Sequence, residues 1–374
     1  MQVDKLWLTD FRNYEQAEAE FAQGLNVVTG RNGQGKTNLL EAIAILATQG
    51  SHRSSTNLPL VRKGADRAIV RAAGYSGGRA VSIDAELKTT GGVRLLVNKV
   101  SPERASDAAR ILTSVLFSPE DLTLTKGGPD ERRRFLDHAA ARLRPLAAQS
   151  RVEFERTLRQ RGGVLKAAST SRRAAGHLEV WDEQLIKASI VLIRHRMELL
   201  RAIQPQASFR YAEVAGDAPS LTLSYEASWA GQQEEEPEGL ADEQIESMLR
   251  ASFERNMAKD LERGITHTGP HRDDVAIVLK GSDARLYASQ GEQRSIALSL
   301  RLAERDLIAK SRGEDPILLL DDVFSELDER RQLQLAELVM AAGQTIATTT
   351  SAGSLPLPKG RTIYIEEGKV LEGG

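Results

Sequence analysis

Eight consecutive residues, Gly30-Arg31-Asn32-Gly33-Gln34-Gly35-Lys36-Thr37, have the types and spacing to hold a chain of phosphates. They fit G-x-x-x-x-G-K-[ST], in which glycines let the backbone curl until successive N–H groups point inward as an anion cradle. In that chemistry Lys36 reaches the β- and γ-phosphates as a mobile point charge, and the Thr37 hydroxyl ligates Mg²⁺. A second chemical unit lies far along the chain, where the apolar run Ile317-Leu318-Leu319-Leu320 ends in Asp321-Asp322. Asp321 is the candidate Mg²⁺ ligand, through water, because Mg²⁺ prefers oxygen and keeps part of its hydration shell. Asp322, one residue on, is the candidate to polarise an attacking water. A third unit, Ser289-Gln290-Gly291-Glu292-Gln293, is a small glycine-containing turn opening a helix. Taken alone it reads best as an ordinary helix cap. In a chain that already has a phosphate loop, it is free to cover a nucleotide held by another copy.

These groups work only if elements aim them. Leu25–Thr29 reads as a buried strand entering the phosphate loop. Residues 38–49 leave it with Leu39, Leu40, Ile43, Ala44, Leu46 and Ala47 at helical spacing. That puts Asn38 and the positive end of a helix at the phosphates. Upstream, Val3–Phe11 and Ala17–Phe21 read as strands, with Asp10-Phe11-Arg12-Asn13-Tyr14 in a turn. Three alternating strands follow at Ile69–Tyr75, Ala80–Leu87 and Val93–Val100, with a helix expected over Pro102–Leu112 and a short strand at Val115–Phe117. From residue 130 to about 203 the chain is rich in Ala, Leu, Arg and Glu, and predicts three or four helices broken at Pro145, Gly162-Gly163 and Gly176. Ser208–Val214 and Leu221–Tyr225 read as strands, and Ala241–Arg263 as a helix after an acidic linker. Strands at Asp274–Lys280, Arg285–Ala288, Pro316–Leu320 and Gln344–Thr349 then alternate with helices over Glu292–Lys310 and Asp328–Ala341. Alternation of this kind predicts a parallel α/β sheet. Carboxylates at the end of one of its strands share an edge with the phosphate loop. The expected class is therefore α/β, a P-loop ATPase head with an inserted α-helical domain. Its expected parts are residues 1–129, 130–210 and 211–374.

Composition narrows the setting. The chain has 374 residues, 41% hydrophobic and 27% charged, as in ordinary soluble proteins. It has no cysteine, which excludes disulfides, thiolate metal sites and a cysteine nucleophile. No apolar run approaches the roughly 18 residues of a membrane span, and the first residues carry no basic-then-apolar leader; a cytoplasmic protein is expected. The net charge of −2 hides an asymmetry. Residues 131–210 hold 17 Lys/Arg against 8 Asp/Glu, and residues 211–264 hold 4 against 13. The basic stretch reads either as a solvated helical surface or as a face that tracks a phosphate backbone.

Taken in order, Gly30–Thr37, Ser289–Gln293, Asp321-Asp322 and Ser325-Glu326-Leu327-Asp328 resemble the ATP-binding-cassette ATPases of the SMC type. Further residues point within that type to the bacterial recombination mediators: Asp10–Tyr14, Glu41-Ala42-Ile43, Ser118-Pro119-Glu120, Gly127-Gly128-Pro129, Arg132–Asp137, and Thr268 to Asp274. The resemblance implies that Gly30, Arg31, Asn32, Gly33, Gln34, Gly35, Lys36, Thr37 and Asn38 bind ATP in cis, with Arg12 near its phosphates. It implies that Ser289, Gly291 and Gln293 meet the γ-phosphate of a second protomer, giving an ATP-dependent homodimer. Asp328 would contact across that dimer, and Mg²⁺ would sit at Thr37 and Asp321. The partners implied are double-stranded DNA, gapped DNA junctions and other recombination mediators, with no membrane. The basic residues Arg132, Arg133, Arg134, Arg142, Arg144, Arg156, Arg159, Arg161, Lys166, Arg172 and Arg173 are the candidates for duplex contacts. This chain departs from the wider superfamily in two places. Asp322 stands where Glu is common, one methylene shorter, which suits slow hydrolysis. Thr348-Thr349-Thr350 stands where many relatives carry a His. The Ser118–Asp121 loop is the candidate equivalent of the glutamine loop, and His271 reads either as a site residue or as a structural His.

Other classes use parts of the same pattern. A transporter ATPase subunit places the phosphate loop and the Ser-x-Gly turn closer together than residues 36 and 289. A small-molecule kinase or GTPase leaves Ser289–Gln293 and Ser325–Asp328 without a role. A long-armed SMC protein needs a longer helical insert and a hinge.

Overall fold

The computed structural model describes residues 1–48, 50–51, 53–54, 56–102, 111–168, 178–216, 218, 220–231, 237–350 and 360–372. The first strands are β1 (Gln2–Phe11), β2 (Tyr14–Glu20), β3 (Leu25–Thr29), β4 (Arg67–Ser76), β5 (Arg79–Lys88), β6 (Val93–Val97) and β7 (Ser114–Phe117). They are followed by β8 (Leu221–Glu226), β9 (Asp274–Leu279), β10 (Ser282–Asp283), β11 (Ile317–Leu320), β12 (Thr345–Thr349), β13 (Arg361–Glu366) and β14 (Lys369–Glu372). The longer helices are α1 (Lys36–Thr48), α2 (Pro129–Leu143), α3 (Pro145–Ala168), α4 (Leu178–Ala215), α5 (Asp242–Arg263), α6 (Gln290–Arg312) and α7 (Glu329–Met340).

The chain divides into two compact units, one of Met1–Asp121, Arg210–Asp217 and Leu298–Gly374, the other of Leu122–Phe209 and Ala218–Ala297. The first unit holds a five-stranded antiparallel sheet, β2-β1-β4-β5-β6, and a six-stranded sheet, β14-β13-β3-β12-β11-β7. In the second sheet β13, β3, β12, β11 and β7 run parallel, and β14 pairs antiparallel at the edge. Every residue of β3, β11 and β12 is buried, as expected for inner parallel strands covered on both faces. Helix α1 packs against strands of both sheets. Nine consecutive residues, Leu39–Ala47, are therefore buried, all of them apolar except Glu41. Gln344 ties the sheets together: its amide accepts from Val3 N (2.8 Å) and donates to the Val3 carbonyl (2.7 Å), as a strand neighbour would.

The second unit is mainly helical, with the antiparallel sheet β10-β9-β8. Three stretches differ from the sequence expectation. Ser208–Val214 is not a strand but the last two turns of α4, which continues through Pro205. Buried Ile203, Ala207, Tyr211 and Val214 make a stripe at helical spacing, and its packing overrides both the local alternation and the lost N–H. Gly162-Gly163 lies inside α3 rather than breaking it, because Phe154, Thr157, Arg161 and Leu165 hold one face inward. Residues 284–287 form a short helix, where Asp283 caps the N–H of Arg285 at 2.7 Å, in place of a strand. The helix expected over Pro102–Leu112, together with Arg172 and Arg173, lies largely outside the described residues.

Candidate functional site

In the first unit β3 delivers Gly30 into the phosphate loop. The loop is glycine-dependent for two physical reasons. A Cβ on Gly30 would stand 2.3 Å from the Ile365 carbonyl oxygen, and Gly33 and Gly35 have φ of 80° and 121°. A Cβ on Gly35 would also meet the Asn13 and Tyr14 side chains at 2.7–2.9 Å. Those two residues grip the loop from outside. The Tyr14 hydroxyl donates to the Gly35 carbonyl (2.9 Å), and Asn13 Nδ2 donates to the Gln34 carbonyl (2.8 Å). Burial pushes the Tyr14 hydroxyl upward, so it stays a donor. From the other side, the turn after β13 contributes Gly368 N to the Gln34 carbonyl (3.2 Å) and Glu367 N to its side chain. Asn38 opens α1 and donates to Asn13 Oδ1 at 2.8 Å.

Lys36 is buried, and its ammonium donates to the Gly30 (2.7 Å) and Arg31 (3.0 Å) carbonyls. Burial lowers its pKa, while Asp322 and Asp321 raise it. The Lys36 head group thus lies along the loop it would share with phosphate. Lys36→Met should weaken ATP binding roughly 10- to 100-fold, since a charge-assisted hydrogen bond contributes about 1.5–3 kcal/mol. Equilibrium binding of ATP–Mg²⁺ checks it, and an unchanged affinity would remove Lys36 from this role.

Parallel register brings the other groups to the same edge. Leu320 stands opposite Phe117 on β7 and Ala347 on β12, and Thr349 opposite Thr29 on β3. Asp321, Thr348, Ser118 and Gly30 therefore all emerge at the C-terminal ends of adjacent strands, where open α/β sheets bind ligands. The Thr37 hydroxyl reaches Asp321 Oδ1 at 3.0 Å, and the Thr348 hydroxyl reaches the same oxygen at 2.7 Å. Burial raises the Asp321 carboxyl, and the Thr348 and Thr37 hydrogen bonds pull it back. Asp322 adopts a left-handed backbone, φ 51°, and among the described residues its buried Oδ1 has no hydrogen-bond partner. This donor set fits Mg²⁺: a hydroxyl and one carboxylate suffice, because phosphate and water complete its shell.

Arg12, expected near the phosphates, follows β1 and is anchored to α1. It makes a bidentate pair with Glu41 of α1 (2.7 and 2.8 Å) and donates to the Pro59 carbonyl (3.0 Å). Glu41 is fully buried; burial raises its pKa, but Arg12 and Ser51 outweigh this and hold it low. Arg53 lies 3.8 Å from Glu41, donates to Asn38 Oδ1 (3.2 Å) and approaches Glu120 at 3.6 Å. The residues that sequence reasoning left without a role are Glu41, Arg53 and Thr348. For Glu41 the signal was available, as a carboxylate amid an apolar helical run. The Ser118–Asp121 loop is braced by Asp121, which accepts from Ser118 N (2.9 Å) and pairs with Arg301 (2.7 Å).

Ser289, Gly291 and Gln293 belong to the second unit. There the Ser289 hydroxyl donates to Glu292 (2.8 Å), whose N–H returns to it (3.3 Å), closing a capping box at the start of α6. Gln293 Nε2 donates to the Ala288 carbonyl (3.0 Å). In the first unit Asp328 caps α7, accepting from Arg331 N at 3.0 Å.

Two of the arginines expected on a DNA face are internal. Arg132 is buried and bidentate to Asp274 (2.7 and 2.8 Å). Arg161 is fully buried between Asp182 (2.5 Å) and Asp260 (2.7 Å). Burying a guanidinium is tolerated only with such pairing. Arg134, Arg144, Arg156, Arg159 and Lys166 are exposed. The loop at 268–274 is a structural hub: buried Asp273 accepts from Tyr225 (2.6 Å), Ser228 (2.7 Å) and Trp229 (3.0 Å). His271 is part of it, bonded to the Thr266 carbonyl (2.9 Å), its ring tilted 36° to that of Phe154 with centroids 6.0 Å apart; burial pushes its pKa down to about 4.

The family model for the RecF/RecN/SMC N terminal domain matches residues 2–357. Among curated relatives, the DNA replication and repair protein RecF of Streptomyces avermitilis is 41% identical over 377 residues, covering 99% of both chains. The protein of that name from Arthrobacter sp. is 37% identical over 397 residues, covering 100% of this chain and 99% of its own. Among solved structures, the ATP complex of the recombination mediator RecF of the RecFOR pathway superposes with a TM-score of 0.90 at 29% identity, covering 100% of this chain and 97% of that one. An Smc head domain from Pyrococcus furiosus shares the fold, with a TM-score of 0.54 at 19% identity over 99% of this chain and 95% of that one.

Proposed function

Since the chain belongs to the RecF family of SMC-type ATPases, we propose that it works as an ATP-controlled clamp on duplex DNA near gaps. It is an ATP-binding ATPase of DNA replication and repair, in a recombination-mediator setting. A transporter subunit, the other reading of the same motifs, does not fit a chain that aligns with RecF proteins over 99% of its length. Among the described residues no helix is long and apolar enough to cross a membrane. A cytoplasmic location is part of this proposal.

The observation that carries the reading is the junction of the phosphate loop with the carboxylate strand, Thr37 Oγ1 to Asp321 Oδ1 at 3.0 Å. From it each residue takes a task. The N–H groups of residues 30–38 and Lys36 bind the phosphates, and Thr37 and Asp321 would hold Mg²⁺, which would supply positive charge against them. Asp322 orients the attacking water. Ser289, Gly291 and Gln293 close on the γ-phosphate of a second copy, so that ATP joins two chains and hydrolysis parts them. The helical block at 130–210, inserted in the ATPase head, offers its exposed cations to the DNA backbone. Such contacts are electrostatic and salt-dependent.

The test is binding of a labelled duplex at near-physiological salt, with ATP–Mg²⁺ against ADP–Mg²⁺. Binding confined to ATP, and lost in Ser289→Arg together with the sedimenting dimer, is the expected result. Ser289→Arg should still bind ATP as a monomer, because the added side chain obstructs only the second copy. Equal DNA binding in both nucleotides, or a normal Ser289→Arg dimer, would overturn the clamp.

A further inference from the structure

Thr348 occupies the junction between the two carboxylate residues. Its side chain is 1% exposed, on the fully buried strand β12. The hydroxyl oxygen accepts the N–H of Asp322 at 2.8 Å and lies 2.7 Å from Asp321 Oδ1. A hydroxyl has one proton. Since its oxygen receives the Asp322 N–H and Asp321 offers only acceptors, that proton points to Asp321. Thr37 donates to the same Asp321 oxygen from the phosphate-loop helix. Two hydroxyls from different elements thus fix one carboxylate oxygen and leave Oδ2 outside both bonds.

The other half of the contact concerns Asp322. Its backbone leaves β11 in the left-handed region, φ 51°, and its buried carboxylate Oδ1 has no partner among the described residues. The side chain therefore has no hydrogen bond at that oxygen to aim it. Its direction follows from its backbone, and the N–H bond to Thr348 restrains that backbone. Short acidic residues tolerate this conformation, but they do not enforce it.

We propose that Thr348 is a positioning residue for ATP hydrolysis, its hydroxyl setting the plane of Asp321 and the backbone of Asp322 together. A hydroxyl suits the task because it donates to one neighbour and accepts from the other. The proposal rests on the assignment of Asp321 and Asp322 to the hydrolytic site.

The test compares Thr348→Val, which keeps the β-branched shape and removes the hydroxyl, with Thr348→Ser, which keeps the hydroxyl. ATP turnover by the full chain with Mg²⁺ and duplex DNA should fall roughly 10- to 100-fold in Thr348→Val, the scale of losing placement at a reacting centre. ATP–Mg²⁺ affinity, read by equilibrium binding, should stay within about threefold, and Thr348→Ser should recover turnover to within about threefold of wild type. Wild-type turnover in Thr348→Val overturns the proposal. So does an equal loss in Thr348→Ser, or a fall in affinity that accounts for the fall in rate. Should Thr348→Val not fold, Thr348→Ala against Thr348→Ser makes the same comparison. Asp322→Asn measured alongside separates the two levels. If it too turns over normally, the hydrolytic assignment fails; if it is slow while Thr348→Val is not, only the role of Thr348 fails.

Discussion

Asp322→Asn should slow ATP turnover by about 10²–10⁴-fold, the range for removing a group that moves or orients a proton, without unfolding the chain. The geometry makes this substitution clean. Asparagine accepts a left-handed backbone at least as readily as aspartate, so φ 51° adds no new strain. The Asp322 Oδ1 has no hydrogen bond among the described residues to lose. What disappears is the negative charge beside Lys36 and the ability to polarise water. ATP binding should persist, and the ATP-joined dimer should last longer because its exit by hydrolysis is slowed. Single-turnover hydrolysis and a thermal melt on the same preparation decide it: wild-type turnover would remove Asp322 from the role.

Arg161→Met should destabilise the protein by about 3–5 kcal/mol, the cost of stranding a buried charge. Arg161 and Asp260 are both 0% exposed, and Asp182 completes the group at 2.5 Å from the guanidinium. The guanidinium also donates to Thr266 (2.7 Å) and lies 4.9 Å above the Phe253 ring. Helices α3, α4 and α5 meet through these contacts, so their loss is felt across the second unit. Methionine fills the volume but leaves Asp260, among the described residues, with His267 as its remaining side-chain partner (2.7 Å). Urea unfolding measures the loss, and Asp260→Asn in the same chain should restore part of it, because the two residues share one interaction. A variant that kept its stability while losing duplex affinity would return Arg161 to the DNA face.

Much of the nucleotide site was legible because its chemistry is local. The spacing of Gly30, Gly35, Lys36 and Thr37 states its own function, and the apolar runs before Gly30 and Asp321 can be buried only as inner strands. Their meeting at one edge follows from parallel register. What escaped depends on partners distant in sequence. Arg132 and Arg161 counted as surface charge because Asp274 and Asp260 lie 142 and 99 residues away. The pairing of Arg12 with Glu41, 29 residues on, was not visible in the sequence either. Ser208–Val214 alternates like a strand, yet it continues a helical stripe that starts many residues earlier. Thr348 stood out only as a departure from the His of many relatives, since the task of its hydroxyl shows only once it is seen between two aspartates.

The grip of Asn13, Tyr14 and Gly368 on residues 34 and 35 has a thermodynamic consequence. Fixing a backbone residue takes about 1–2 kcal/mol of entropy. For a flexible eight-residue loop, that loss would fall on ligand binding and weaken it by many orders of magnitude. Here turns from two different sheets hold the loop in shape during folding. Nucleotide then meets a surface with little disorder left to lose, and its affinity reports the contacts themselves.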